Sequence, residues 1–301
     1  MKILVQIAIV CCVLLLSAVN ASAQCVEYGT IFPSDMENDN GENVGRGKLY
    51  YVSVDHTFPV SMKVDSLRRV RSWSATLSGR YTSFDNEGGA LAINPDDIIN
   101  AGAMLTHVRT VAPRWNMIAT AGVHLNVISD YIRMRSVALT AGAMFVYQVN
   151  KELNLGAGVV ATTIYGEPVF MPLPFLTWKR DGKYCYELNL HGRPEFRIST
   201  QLNSKTRLEF APLDMEMFNA VMRVNGETKV YVNNSFKATV GGSYQLADKL
   251  SIYAEVGVLY YHKVKVIDRS TKAFWRNLFG SSGAYKHKPS MALSVGVKRT
   301  I

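Results

Sequence analysis

Residues 114–127 read RWNMIATAGVHLNV. Trp115, Met117, Ala119, Ala121, Val123, Leu125 and Val127 are all apolar. Between them lie Arg114, Asn116, Ile118, Thr120, Gly122, His124 and Asn126, of which Ile118 alone is a large hydrophobe. Side chains of a strand point alternately to its two faces, so this stretch is a strand with one apolar and one wet face. The alternation recurs over 71–84, 136–149, 236–246, 249–261 and 290–300, and more weakly over 48–60, 99–110, 152–165, 170–180, 183–202 and 205–224. That predicts about twelve strands. Short connections at Asn150-Lys151, Asp181-Gly182, Asn203-Ser204, Asn225-Gly226 and Ala247-Asp248 make neighbours into antiparallel hairpins. One short helix is expected, over 271–279.

What the apolar faces meet decides the fold class. A soluble sandwich packs bulky aliphatic residues between its sheets. Here the apolar faces are small in the middle and aromatic near the ends: Trp73 and Tyr81 bracket Ala75, Leu77 and Gly79, and Phe236 and Tyr244 bracket Ala238, Val240 and Gly242. At ~3.4 Å per residue and a tilt of ~40°, each pair spans roughly 20 Å across a membrane, near the ~25 Å apolar band of an outer-membrane barrel with aromatic girdles. Strands cross a membrane only as closed barrels. The expectation is an all-β, antiparallel transmembrane barrel, with a soluble periplasmic β-sandwich binding protein as the alternative.

The N-terminus agrees. Lys2, the apolar run from Ile3 to Val19 and the small residues of Ala21-Ser22-Ala23 read as a secretory signal peptide over 1–23, cleaved on export to a Gram-negative envelope. A polar segment, 24–47, then precedes a barrel over 48–301. No later stretch reaches the length of an apolar transmembrane helix. Cys25 and Cys185 are not expected to pair, since Cys185 falls on a polar strand face.

Barrels of this kind have short turns at one end. In a twelve-strand map the tight turns after 110 and 149 and at 247–248 cannot all lie at that end. Splitting 183–202 at Gly192–Pro194 and adding a strand at 25–32 gives fourteen and removes the conflict. Twelve is kept as the expected count, with ten to fourteen open.

The stretch GEPVFMPLPFLTWKRDGKYCYELNL (166–190), followed by Gly192-Arg193-Pro194, resembles the middle of an uncharacterised outer-membrane β-barrel family common in Bacteroidota. GGSYQLADKLSIYAEVGVLYYHKVKV (241–266) is similar to its penultimate hairpin. The resemblance covers roughly residues 45–301. It implies an outer-membrane barrel of about twelve strands whose function is unassigned. The ending Lys298-Arg299-Thr300-Ile301 departs from the terminal aromatic residue common in such barrels.

Motifs for chemistry are scarce. The 6 histidines show no metal-ligand spacing and no CxxC exists, so neither metal nor cofactor is expected. The acidic stretch 34–43 lacks the closing carboxylate of a calcium loop. Arg80, Arg114, His124, Asn126, Lys237, Tyr253 and Glu255 share wet strand faces and are the candidate interior residues. They are read as a salt-bridge network that plugs a barrel or tunes a solute path. The alternative is a barrel-embedded hydrolase acting on envelope lipid, with His124 beside Ser129 or Ser136. The loop 269–289 carries Arg269, Lys272, Arg276, Lys286 and Lys288 with Trp275 and no acid. Cations beside aromatics suit the phosphates of outer-membrane lipid and lipopolysaccharide. The net charge of +9 therefore argues for lipid phosphate and not for nucleic acid. The expected partners are those lipids, the barrel-insertion machinery and small solutes. The expected role is non-enzymatic.

Overall fold

A computed structural model describes residues 23–280 and 283–299. Residues 1–22 of the expected signal peptide lie outside the described residues. Fourteen antiparallel strands close into one barrel. They are β1 (Ala23–Glu37), β2 (Asn43–Val64), β3 (Val70–Gly88), β4 (Asp97–Ala112), β5 (Trp115–Val127), β6 (Val137–Gln148), β7 (Leu153–Thr162), β8 (Val169–Arg180), β9 (Cys185–Asn189), β10 (Glu195–Gln201), β11 (Thr206–Val224), β12 (Glu227–Ala247), β13 (Leu250–Asp268) and β14, broken into Tyr285–His287 and Ser290–Arg299. Each strand pairs with its chain neighbour, and β14 pairs with both β13 and β1, which closes the sheet on itself. Among the described residues one α-helix, α1 (Thr271–Phe279), lies between β13 and β14, where the sequence places it.

The count is fourteen, not about twelve. Residues 24–47, read as a polar segment ahead of the barrel, supply β1 and the start of β2. The run 183–202 holds two short strands, β9 and β10, parted at Gly192 (φ 69°) and Pro194. Fourteen strands put the connections 65–69, 113–114, 149–152, 181–184, 202–205 and 248–249 at one end, with the start of β1 and the finish of β14; this is the turn end. The longer connections lie at the other, the loop end, together with the two-residue turn Asn225-Gly226. Both residues of that turn have positive φ (50° and 85°), as a hairpin matching strand twist requires.

The outer surface is apolar. Leu139, Phe145, Val159, Phe210, Val240 and Val256 are all exposed large hydrophobes. Aromatic belts bound them. Trp115 and Tyr147 (5.0 Å between rings) and Trp178 and Tyr186 (6.4 Å) mark the turn end. Phe32, Tyr50, Tyr81 and Tyr260, all exposed, mark the loop end. Beyond the loop-end belt the wall turns charged, with Lys48–Asp85 at 2.8 Å and Lys288 between Asp35 (3.6 Å) and Glu37 (3.2 Å).

The buried core is inside the barrel at its loop end. β11 follows β10 only to Asp214, where a register shift at Ala211–Asp214 contains Pro212, a residue that cannot donate to a ladder. Past it, β11 and β12 turn inward together across the lumen. The edge of β11 docks on the far wall, where Val221 pairs with Val127 of β5 and the Val221 carbonyl accepts from the Ile128 amide at 3.3 Å. Both faces of the hairpin are buried. Val221, Val230 and Val232 pack with Ala138, Ile164, Tyr165, Val169 and Phe274 on the β6–β8 and α1 side. Ala220, Met222 and Tyr231 pack with Met36, Ala90 and Ile98 on the β1–β4 side. Burial on both faces erases period-2 alternation, and the segments FNAVM (218–222) and VYV (230–232) show that loss.

Candidate functional site

Below the inward hairpin, the lumen towards the turn end is polar. Its centre is a carboxylate held by two phenols: Tyr51 and Tyr253 donate to Glu27 Oε1 and Oε2, both at 2.6 Å. Each ring lies flat over a glycine. A Cβ on Gly29 would sit 2.3 Å from the Tyr51 ring, and one on Gly296 2.5 Å from the Tyr253 ring. Gly296→Val is therefore expected to push Tyr253 off Glu27 and cost about 1–3 kcal/mol by overpacking. Melting of the folded band on an unboiled gel measures it; an unchanged melting temperature would mean that the phenol clamp does not stabilise the barrel.

Around this clamp the charges pair across the lumen. Arg80 of β3 pairs with Glu216 on the inward hairpin, and its guanidinium lies 4.0 Å from the Tyr51 ring centre. Arg193, from the β9–β10 connection, grips both oxygens of buried Asp214, which also takes Lys237 at 3.4 Å. Arg197 joins Glu195 and Glu209 and lies 3.9 Å from Glu255. Two cavities adjoin along this network, sharing Cys25, Glu27 and Arg193. One, of about 280 Å³, also touches Asp55, Ser78, Arg80, His124 and Asn126; the other, of about 480 Å³, touches Arg197, Lys205, Arg207, Lys237, Tyr253, Glu255 and Lys298. Lys205, Gln245 and Lys298 carry the larger cavity to the turn end. Towards the hairpin, a space among Ile31, Glu216, Lys237 and Leu259 shrinks to about 10 Å³, room for a single water.

The inner surface has two characters. The charged groups come from β1–β3 and β9–β14. Across from them, the inward residues of β4–β8 include Met104, Ile118, Met144, Val146, Val160, Leu173 and Phe175, interleaved with Gly102, Gly122, Gly142, Gly156 and Gly158.

Six of the seven interior candidates, Arg80, His124, Asn126, Lys237, Tyr253 and Glu255, do line these cavities. Arg114 does not. It is an exposed turn residue at φ 66° between β4 and β5, because the strand begins one residue later than the alternation suggests. Glu27, Tyr51, Arg193, Arg197, Asp214 and Glu216 were missed. Asp214 and Glu216 carry a readable signal, two acids at i and i+2 on one strand face; Glu27 fell in the segment assigned outside the barrel.

His124 partners neither serine proposed for it. Ser129 donates to Asp97 at 2.8 Å, and buried Ser136 donates to the Tyr131 carbonyl at 3.0 Å. Strand register instead sets Asp55, Ser78, Gly102 and His124 in one lumen-facing row across β2–β5. No hydrogen bond joins Ser78 to His124 among the described residues.

The basic candidates lie around the loop end. Arg269 donates to the Ile164 carbonyl at 3.0 Å, and Thr271 donates to Glu167 at 2.9 Å, tying α1 to the β7–β8 connection. Lys272 and Arg276 are exposed on α1, where Trp275 stacks on Phe279 at 5.9 Å. Lys286 and Lys288 are exposed on β14 and just after its first piece, with Lys288 held by Asp35 and Glu37. The acidic stretch spans the end of β1 and the β1–β2 connection, and Asp39 in that connection accepts from the Ala284 amide of the basic loop.

The sequence profile of a domain of unknown function, DUF6268, matches residues 19–300. No curated protein matches the chain. Among solved structures, an outer-membrane channel from Pseudomonas putida F1 is similar at 10% identity, with 94% of this chain and 97% of that one covered and a TM-score of 0.43. The Pseudomonas putida toluene transporter TodX is similar at 8% identity (95% and 91% covered, TM-score 0.36). The outer-membrane protease OmpT from Escherichia coli is similar at 10% identity (94% and 97% covered, TM-score 0.27).

Proposed function

The chain belongs to the DUF6268 family, whose function is unassigned, and we propose from its own geometry that it is a non-enzymatic outer-membrane barrel. Its turn end faces the periplasm, and its own β11–β12 hairpin closes it against the outside. The observation that carries this reading is that hairpin, dry on both faces and docked on β5. It leaves a charged vestibule open to the turn end, suited to holding or passing a small solute. The apolar outer surface between two aromatic belts supports the membrane location. Two observations are expected together: an unboiled band that migrates apart from the boiled one, and retention in the membrane through an alkaline carbonate wash. Release by carbonate would overturn the membrane reading.

The loop-end cations then meet the outer leaflet. In α1, Ala273 and Phe274 are buried while Lys272, Arg276, Leu278 and Phe279 face outward, an arrangement that suits an interface bearing phosphate. Replacing Lys272 and Arg276 together by Glu should weaken binding of the detergent-solubilised barrel to lipopolysaccharide by about 1 kcal/mol per cation removed. Unchanged binding would leave α1 a structural brace only.

A hydrolase reading has one observation in its favour, the Asp55, Ser78 and His124 row on a shared cavity. His124→Ala abolishes lipid hydrolysis on that reading and changes no turnover on the one preferred here.

A further inference from the structure

The barrel wall is not laddered all the way round. β9 and β10 are short, and β9 meets β8 only from Thr177 downward. Above that, residues 169–175 of β8 pair with β7 alone, and β11 has left the wall. β9 and β10 are missing from this part of the wall and β11 has turned inward, so by strand spacing the gap is at least about 14 Å wide. It lies between the belts, from Trp178 at the turn end to Phe170 near the loop end, so it opens at the level of lipid hydrocarbon.

The sequence is built for that gap. The Leu176 carbonyl accepts from the Leu190 amide, so even-numbered residues of β8 aim their backbone at the β9 side. Pro172 and Pro174 are even-numbered: along the free edge two donors that would hang unpaired in hydrocarbon have been deleted. Carbonyl acceptors remain. Behind the edge, the inward residues Met171, Leu173 and Phe175 are apolar, and Met217 on β11 is 59% exposed. At the foot of the gap, His191 stacks on Phe175 at 4.4 Å with its Nδ1 unpartnered, next to Arg193, which lines both charged cavities. Apolar side chains behind the gap thus adjoin, through His191, the vestibule residue Arg193, while Met171 packs on the hairpin core.

We infer that the β8–β11 gap is a lateral port through which a single-chain amphiphile, apolar body with a polar head, moves between the membrane hydrocarbon and the vestibule. The port rests on the membrane reading above, since it needs lipid outside the wall. It makes use of the closed loop end, which leaves the side as the route onward from the vestibule.

Nitroxide labels on a Cys25→Ser, Cys185→Ser background test it in phosphatidylcholine vesicles. Leu173→Cys faces inward at the gap, Met144→Cys faces inward behind a complete ladder, and Phe145→Cys faces outward. The heat-modified band checks that each variant folds. Collisions with dissolved oxygen, which concentrates in hydrocarbon, should be several-fold more frequent at 173 than at 144 and close to those at 145. Position 173 behaving like 144, with 145 rich in oxygen, would overturn the port and leave the membrane reading intact. A poor oxygen signal at 145 would overturn both. Photolysis of diazirine-bearing laurate in the same vesicles should leave adducts on Leu173, Phe175 or Met217. Adducts confined to outward residues such as Phe145 and Phe170 would overturn amphiphile entry.

Discussion

Replacing residues 219–232 by Asn-Gly should turn a barrel with little conductance into a steady pore. The cut is register-matched: Phe218 pairs with Asn233, so a two-residue turn joins them without shifting the ladder below. The remaining pairs of β11 with β12, and of β12 with β13, stay in place, so closure survives. The removed segment contains Val221, Val230 and Tyr231, all wholly buried, and with them the docking on β5. Arg80 and Glu216 remain, so the vestibule keeps its ion pairs. Conductance in a planar bilayer should rise by an order of magnitude or more. A milder version, Tyr231→Ala, removes a ring packed edge-on against Phe84 and a hydroxyl that donates to Asn94 at 3.0 Å. That loss is worth about 3–5 kcal/mol at a fully buried site, and it should give flickering openings. If the truncated barrel folds and conducts no more than the parent, the hairpin is not the closure.

The hairpin also shows where reading the sequence ran out. Period-2 alternation is a local signal, set by one wet and one oily face, and it found the strands whose outer face is apolar. It failed wherever that premise failed. FNAVM and VYV are buried on both sides, so nothing marked them as crossing the lumen. β1 carries Glu27 on its lumen face and Asp35 and Glu37 beyond the loop-end belt, so a genuine barrel strand read as a polar leader. β9 and β10 are so short that their alternation merges into one run, and only the parity of the tight turns marks the break between them. The lumen was half legible. Wet-face residues such as Arg80, Lys237 and Glu255 are readable from strand phase. Which charges pair depends on closure, which sets Arg80 opposite Glu216, 136 residues away. Arg114 was assigned to the interior because phase was carried into a turn, where it no longer holds.

Acidification should loosen the same hairpin from its β13–β14 side. His262 and His287 stack at 4.3 Å, beyond the loop-end belt, since His287 pairs in register with Met36, one residue past Asp35 of the charged cluster. His262 meets the side-chain amide of Asn233 on β12 at 2.9 Å, and His287 meets Ser34 at 3.1 Å. His262 Nδ1 and His287 Nε2 are buried without partners. Lys48 lines the small space beside the pair, and Glu216 acts on His262 from the hairpin. Burial drives His262 well below the ordinary histidine range, and its stacked neighbour lowers it further. Burial also brings His287 down to about 4. Both rings are therefore neutral when the hairpin is docked, and a ring released to water regains a pKa near 6.5. Above about pH 6.5 docking carries no proton penalty. As pH falls below that, the undocked state binds protons that the docked state refuses, and docking weakens until His287 itself titrates near 4. His287 alone then contributes about 3 kcal/mol against docking, roughly a hundredfold in the equilibrium. Amide exchange over 217–232 should accelerate between about pH 7 and pH 4.5 after correction for intrinsic rates, and conductance should rise with it. His287→Asn, which retains a polar contact for Ser34 and cannot titrate, should make both profiles shallower by the share of His287 and leave that of His262. Equal pH dependence in the parent and in His287→Asn would show that protons act on the hairpin elsewhere.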